Sequence, residues 1–421
     1  MNRTVNTKRT PPRPKPVEKV ELSEKHLKRR LILTILFLLL GAGAIVYGFM
    51  QFLSGDDDAG WTEIEANSTS DELSCSEDFV FLYELGAGDT ASLAENKALK
   101  SLYTDLAVEI YKVYDVDYIY DGVGNVCSIN QSPNETVTVE PALYAALETV
   151  QEYGDRSIYL GPVYQMYDSL FFCEDDSQTV DYDPYQDSYL MEYYGEIAAY
   201  ACDPDSVDIE LLGDNQVRLS VSEDYLSYAE ENGITDYIDF SWMTNAFIID
   251  YPADSLIENG YTHGCITSYD GFVRNLDDRG VSYSFAIYSR NGNEIDQPAI
   301  LQYTGAQSMV YLRNYMMSEK DIYHYYEMVD GDIRTLYLDP ADGLCKSAVN
   351  DLVSYSENKN CAETLLSVKG IYIAEELDAD ALDALAEDGV YSVYVWEGEL
   401  TYNDSELTAE ISDDETVYLI R

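Results

Sequence analysis

Histidine is nearly missing from this 421-residue chain, which has only His26, His263 and His324. A His-built metal centre or a Ser-His-Asp triad therefore has almost no material. Bases are scarce as well, 25 Lys and Arg against 78 Asp and Glu. Ten of the bases and three of the acids lie in residues 1–30, and 31–55 carry no charge, so 56–421 hold 15 bases against 75 acids, a net charge of −60. A segment that acidic repels phosphate backbones, which excludes nucleic acid as its partner. The seven cysteines, at 75, 127, 173, 202, 265, 345 and 361, contain no C-x-x-C pair and no dense disulfide spacing. Their odd number leaves at least one unpaired in a monomer, and both disulfides and free thiols stay open. No D-x-[DN]-x-[DN]-G loop is present, so an EF-hand is excluded. There is no internal repeat.

Apolar residues are plentiful. They make up 46% of the chain, with 39 tyrosines, enough to build a core and to exclude disorder for the bulk. Residues 31–53 (LILTILFLLLGAGAIVYGFMQFL) form one apolar run, about 33 Å long as a helix and sufficient to cross a bilayer. Lys25, Lys28, Arg29 and Arg30 precede it and Asp56, Asp57 and Asp58 follow. The positive-inside rule then predicts a basic cytoplasmic arm over 1–30, a single-pass transmembrane helix contacting lipid over 31–53, and an acidic C-terminal region outside the cell. A cleaved signal peptide fits less well, because the basic segment is long and no A-x-A-like site precedes the acids. Residues 54–77 read as an acidic linker.

Beyond the linker, Phe79–Leu85 reads as a strand. Leu99, Leu102, Leu106, Ile110 and Val113 recur at helical spacing, and Pro141 opens a second helix with Leu143, Leu147 and Val150 on one face. Between them, Tyr120–Asn130 reads as a glycine-rich turn followed by a strand-like run. The Asp- and Tyr-rich stretch 174–194 reads as a surface excursion. Strands are predicted at Val217–Val221, Tyr283–Tyr288 and Tyr391–Trp396, and helices at Ser255–Gly260 and Leu377–Glu387, the last stopped by Gly389. Helices and strands mix without strict βαβ alternation, so the fold class expected is α+β.

Residue chemistry alone points to little. Asp181, Asp183 and Asp187 read as solvated acids rather than a cation site, and Asp339-Pro-Ala-Asp342-Gly343 as a turn. Glu363 and Ser367 are four apart on one helix face, either half of a Mg²⁺ shell or, better, an ordinary cap or surface pair.

The order of short segments from Phe79 onward resembles the bacterial FAD:protein FMN transferase family (ApbE type), its membrane-tethered members above all. Tyr120-Asp-Gly-Val-Gly-Asn-Val-Cys-Ser-Ile-Asn130 is similar to the family's turn ending N-I-x-x-I-N, and Gly161-Pro-Val-Tyr-Gln-Met-Tyr167 to its G-P-V/L-x-x-L-W segment. Where the family has D-x-G-x-x-A-K-G-Y, this chain has Asp239-Phe-Ser241-Trp-Met-Thr-Asn245-Ala246-Phe. The G-G-N turn appears as Asp270-Gly271-Phe272, T-S-G-D as Ser318-Glu-Lys-Asp321, H-I-x-D-P-x-T-G as Leu336-Tyr-Leu-Asp339-Pro-Ala-Asp-Gly343, and A-D-A-L-x-T as Ala362-Glu363-Thr-Leu-Leu-Ser367. The resemblance implies an ApbE-like mixed α/β ectodomain over 78–421. It implies FAD contacts from Asp239, Asn245, Gly271, Asp321 and Asp339, and a Mg²⁺ site at Glu363 and Ser367. The reaction it implies places FMN on a threonine of a partner, here a membrane redox flavoprotein. No residue is assigned as catalytic.

The departures from the pattern all weaken anion binding. Asn245 replaces a lysine, Glu363 an aspartate, and Ser241, Ala246 and Asp270 replace glycines. Asp270 adds negative charge where a pyrophosphate would lie. The competing expectation is therefore an inactive relative that serves as a cell-surface binding or scaffold protein, its partner reading an acidic, tyrosine-rich surface. An acidic face taking Ca²⁺ or a basic partner is the third.

Overall fold

The computed structural model describes residues 59–67, 74–88, 90–292, 294–396 and 398–411. The expected basic arm, the transmembrane helix at 31–53 and much of the linker lie outside these residues.

One antiparallel sheet organises the domain. Its strands are β1 (Gly60–Glu63), β2 (Phe79–Leu85), β6 (Gly264–Ser268), β7 (Phe272–Asn275), β10 (Gln307–Arg313), β13 (Asp351–Ser356), β14 (Tyr391–Trp396) and β15 (Glu399–Tyr402), in the order β1-β2-β6-β7-β10-β13-β14-β15. The central strand β10 is buried along its whole length. Its even residues Ser308, Val310 and Leu312 face a helical layer, and Met309 and Tyr311 face the other way, as the two-residue pleat requires. On that second face sits a small sheet, β16 (Thr408–Ile411), β9 (Glu294–Thr304) and β8 (Ser282–Asn291), and Ile287, Ala299 and Leu301 join Met309, Val353 and Val393 in an apolar layer between the two. A third sheet, β3 (Thr136–Thr138), β5 (Gln216–Val221) and β4 (Val207–Gly213), and the hairpin β11 (Tyr325–Glu327) with β12 (Ile333–Thr335) complete the strands.

The helices follow apolar spacing. Helix α1 (Ser92–Tyr114) buries Leu99, Leu106, Ile110 and Val113 against the core. Then come α2 (Val126–Asn130), α3 (Pro141–Glu152), α4 (Gly161–Tyr167), α5 (Asp176–Thr179), α6 (Ser188–Cys202), α7 (Glu223–Asn232), α8 (Thr244–Glu258), α9 (Cys361–Tyr372) and α10 (Ala379–Glu387). The expected strands at 79–85, 217–221, 283–288 and 391–396 form, as do the helices read from the Leu99–Val113 spacing, from Pro141 and at Leu377–Glu387, the last beginning at Ala379.

Three expectations need correction. Part of the supposed linker is ordered, because β1 pairs with β2 from Gly60↔Leu85 to Glu63↔Leu82. The strand-like run after the glycine turn is helix α2. Asn125 and Ser128 form a reciprocal capping box there, and satisfied helix ends outweigh the β-propensity of Val126 and Ile129. The segment Ser255–Gly260 is the last turn and end of the longer helix α8.

The stretch 174–194 lies at the surface as expected, with most of its residues exposed, but it is pinned to the core at a few points. Thr179 and Asp183 are fully buried, and α6 buries Leu190, Tyr193 and Tyr194. Asp183 receives Arg334 Nε at 3.0 and 3.1 Å, so its charge is neutralised in the interior rather than by water. Asp187 caps α6. The tyrosines go the same way: Tyr83, Tyr159, Tyr164, Tyr167, Tyr194, Tyr225 and Tyr372 are among the largest fully buried side chains. Tyrosine therefore supplies a large part of the core here, while Tyr118, Tyr185, Tyr189, Tyr269 and Tyr323 stay exposed. None of the seven cysteines is disulfide-bonded.

Candidate functional site, an acidic aromatic cleft

A cleft of about 420 Å³ opens where α1, the start of α8 and the β6–β7 turn meet. The Tyr120–Asn130 segment lines none of the cleft but braces the chain that carries Asp239 into it. Asn130, at the end of α2, donates Nδ2 to Ile238 O at 2.9 Å and accepts Ile238 N at 3.0 Å. This two-sided clamp, with Asp239 N on Ile158 O at 2.8 Å, presents Asp239 to the cleft. Gly124 allows the same platform to close, since a Cβ there would lie 2.0 Å from Thr138 O.

Asp239 accepts Ser241 N at 2.6 Å through Oδ1. Burial raises its carboxyl to about 6, against the lowering effect of that hydrogen bond. Ser241 holds φ +45°, a left-handed conformation that suits the glycine expected by resemblance and strains a serine. One turn on, Asn245 Nδ2 donates to Asp270 Oδ2 at 2.9 Å, while Asp270 Oδ1 is buried with no hydrogen-bond partner. Burial raises the Asp270 carboxyl, with Ser268, His324 and Asn245 pulling it back.

Three more carboxylates line the walls. Asp168 is raised to about 7, first by burial and then by the charge of Asp239; the residue stays open to solvent, which screens part of this. Asp78 is raised by burial and by Asp270. Asp115 is already committed to Tyr120 Oη at 2.5 Å and to the amides of Asp117 and Tyr118. Against these five acids stands one imidazole, His324, and no described lysine or arginine lines the cleft. Aromatic rings form much of the remaining wall, with Trp242, Tyr114 and the stacked pair Phe172–Tyr323, ring centroids 4.7 Å apart.

Of the residues carried over by resemblance, Asp239 and Asn245 line this cleft. The other five spend their polar atoms elsewhere. Gly271 holds φ +109° with its backbone against β10, where a Cβ would lie 2.4 Å from Tyr311 O. Asp321 is buried in an ion pair with Arg313 at 2.8 Å and accepts the amides of Met317 and Ser318. Asp339 and Asp342 share Lys346 Nζ at 2.8 and 2.6 Å in the expected turn. Glu363 reaches back to Asn360 N at 2.9 Å as half of the α9 capping box, and Ser367 Oγ donates to Glu363 O at 2.8 Å. Glu363 thus caps α9 together with Asn360, and Ser367 bonds back to the helix backbone. Among the described residues no three His, Cys, Asp or Glu converge as a metal site.

Sequence reasoning missed Asp78, Asp115, Asp168, Trp242 and His324 as cleft residues. They come from separate elements, and no local spacing marks them.

No family model matches the chain, and no curated protein matches its sequence. Solved structures do. The ApbE protein of Thermotoga maritima superposes with a TM-score of 0.53 at 14% identity, over 84% of this chain and 97% of its own. The flavin transferase ApbE from Vibrio cholerae gives 0.53 at 15%, over 86% and 100%. The chain has the ApbE-like mixed α/β fold.

Proposed function

We propose that this chain is a binding protein on a flavin-transferase fold, held at the outer membrane face by residues 31–53, whose cleft takes an organic ammonium group instead of FAD. The observation that carries this reading is Asp270, an acid buried in the cleft with one carboxylate oxygen unpartnered. A pyrophosphate does not fit that lining. It would bring two negative charges against five acids, in a lining with no lysine or arginine and a single imidazole. An ammonium group supplies what the lining lacks, a donor for Asp270 Oδ1 and a positive charge beside aromatic faces, where cation–π attraction adds about 0.5–2 kcal/mol. No transfer step through FAD or Mg²⁺ is derived, because the acidic lining does not suit a pyrophosphate and Asp321, Asp339 and Glu363 are engaged elsewhere.

The fold itself favours the rival reading, a working FMN transferase acting on a threonine of a membrane redox flavoprotein. One titration separates the two. The full-length chain is titrated with FAD, with and without Mg²⁺, and with benzylammonium, whose N–H groups can donate to Asp270, following tryptophan fluorescence and heat. The expected result is saturable binding of the ammonium probe, weakened about tenfold or more in Asp270→Asn, and no response to FAD. Magnesium-dependent FAD binding at micromolar concentration would overturn the proposal and restore the transferase.

A further inference from the structure

A second cavity, about 790 Å³, shares no lining residue with the cleft. It lies at the end of the apolar layer between β10–β13–β14 and the small sheet, where Met309 and Leu301 form its apolar back wall. The pleat places Gln307 on the same face of β10 as Met309. Gln307 is 7% exposed, and its Nε2 has no hydrogen-bond partner. An unmade buried amide bond costs about 1–3 kcal/mol, so an acceptor from a ligand is worth a similar amount there.

The rim is built rather than loose. Asn403 accepts Ser392 N at 2.8 Å and donates to Leu382 O at 2.9 Å, and Tyr355 Oη donates to Asp404 Oδ2 at 2.7 Å. These bonds hold the segment carrying Asp404 and Glu406 across from Glu357 and Glu387, with no described base in the lining. Tyr355 and Tyr391, ring centroids 5.7 Å apart, add flat apolar faces.

The occupant these groups select must donate to carboxylates, accept from Gln307, carry no negative charge and offer C–H faces to tyrosine rings. Hydroxyl groups on a ring do all of this at once. A bare polyamine has no acceptor for Gln307, and a uronic acid or phosphosugar meets four carboxylates. We infer that this cavity is a carbohydrate site for a neutral or amino sugar of mono- to disaccharide size, consistent with the roughly 300–1,000 Å³ of small-ligand pockets.

Saturation-transfer NMR on the full-length chain tests this with four probes: chitobiose, the glucosamine disaccharide, spermidine and glucuronate. Transfer to ring C–H protons of either disaccharide, and not to glucuronate, is expected. Affinity falls about tenfold in Gln307→Leu, which keeps the buried volume, or in Glu387→Ala, an exposed position at the end of α10. Loss in either variant at unchanged melting temperature supports the site. A preference for the amino form assigns the carboxylates to the ammonium, and a preference for chitobiose assigns Gln307 to the acetamide; both uphold the inference. Silence from both sugars, binding unchanged in both variants, or response to spermidine alone overturns it.

Discussion

Replacing Asp321 by alanine separates a structural acid from a cofactor ligand. Its side chain is 2% exposed and that of Arg313 is 4% exposed, so both charges of the pair are desolvated. Arg313 Nη2 has Asp321 Oδ1 at 2.8 Å and Tyr269 O at 3.1 Å, and its Nε has no partner. Removing the carboxylate strands the guanidinium in the interior, a loss of about 3–5 kcal/mol. The same carboxylate closes a capping box, accepting Ser318 N at 2.9 Å and Met317 N at 2.8 Å, which adds about 1 kcal/mol. The sum, about 4–6 kcal/mol, lowers the melting temperature by on the order of 10 °C for a domain of this size. Thermal unfolding followed by circular dichroism reads it directly. Arg313→Met combined with Asp321→Leu recovers most of the ion-pair part, because an apolar pair removes the stranded charge. A melting temperature within about 2 °C of the parent for Asp321→Ala would refute a buried pair. If the same variant kept its stability and lost FAD binding, the cofactor contact implied by resemblance would be the correct assignment.

Further outcomes follow from other groups. Asp351 is 1% exposed, with Ser289 Oγ on Oδ1 at 3.1 Å and Oδ2 unpartnered, and burial raises its carboxyl to about 7. The folded state then binds the proton more tightly than the unfolded one. Stability is fullest below about pH 4 for this group and falls as pH rises through 7, by about 2–3 kcal/mol between pH 5 and 8. Asp351→Asn flattens that slope in urea titrations, and an unchanged slope would refute the assignment. Ser241→Gly relaxes the left-handed backbone at φ +45° and raises stability by about 1 kcal/mol, whereas Ser241→Val lowers it, both read from the urea midpoint. Binding of the ammonium probe strengthens from pH 5 to 8, because Asp168 and Asp239, raised to about 7 and about 6, must lose protons to pair with it; a flat profile speaks against an electrostatic site. Cys202, the one exposed cysteine residue, reacts first with a disulfide reagent in the folded chain, and slowly near pH 7 because its thiol, partly buried and donating to Pro340 O at 3.0 Å, has a raised pKa; rapid labelling that persists in Cys202→Ser contradicts this.

Periodicity and charge carried the elements and the exclusions. Apolar spacing in α1 and α3 and the apolar runs of β2, β5 and β14 are local, so they could be read without a fold. The near absence of histidine and the surplus of acid removed whole classes of chemistry before any geometry. Segment order alone led to the transferase fold, since Gly124 and Asn130 serve the scaffold and their spacing is kept.

Which carboxylates matter was beyond local reading, because an acid's role depends on what it meets across the fold. Asp321 meets Arg313, Asp183 meets Arg334, and Glu363 turns back on its own helix, so three acids that looked available are spent. Asp78, Asp168 and Asp270, from three distant segments, are brought into one aromatic cleft and pushed toward protonation by burial. The sequence determined by itself an acidic, tyrosine-filled α+β domain, because composition and spacing are properties of the chain. Only the tertiary structure decided where the charge goes unpaired, because desolvation depends on neighbours distant in the chain and not on residue type.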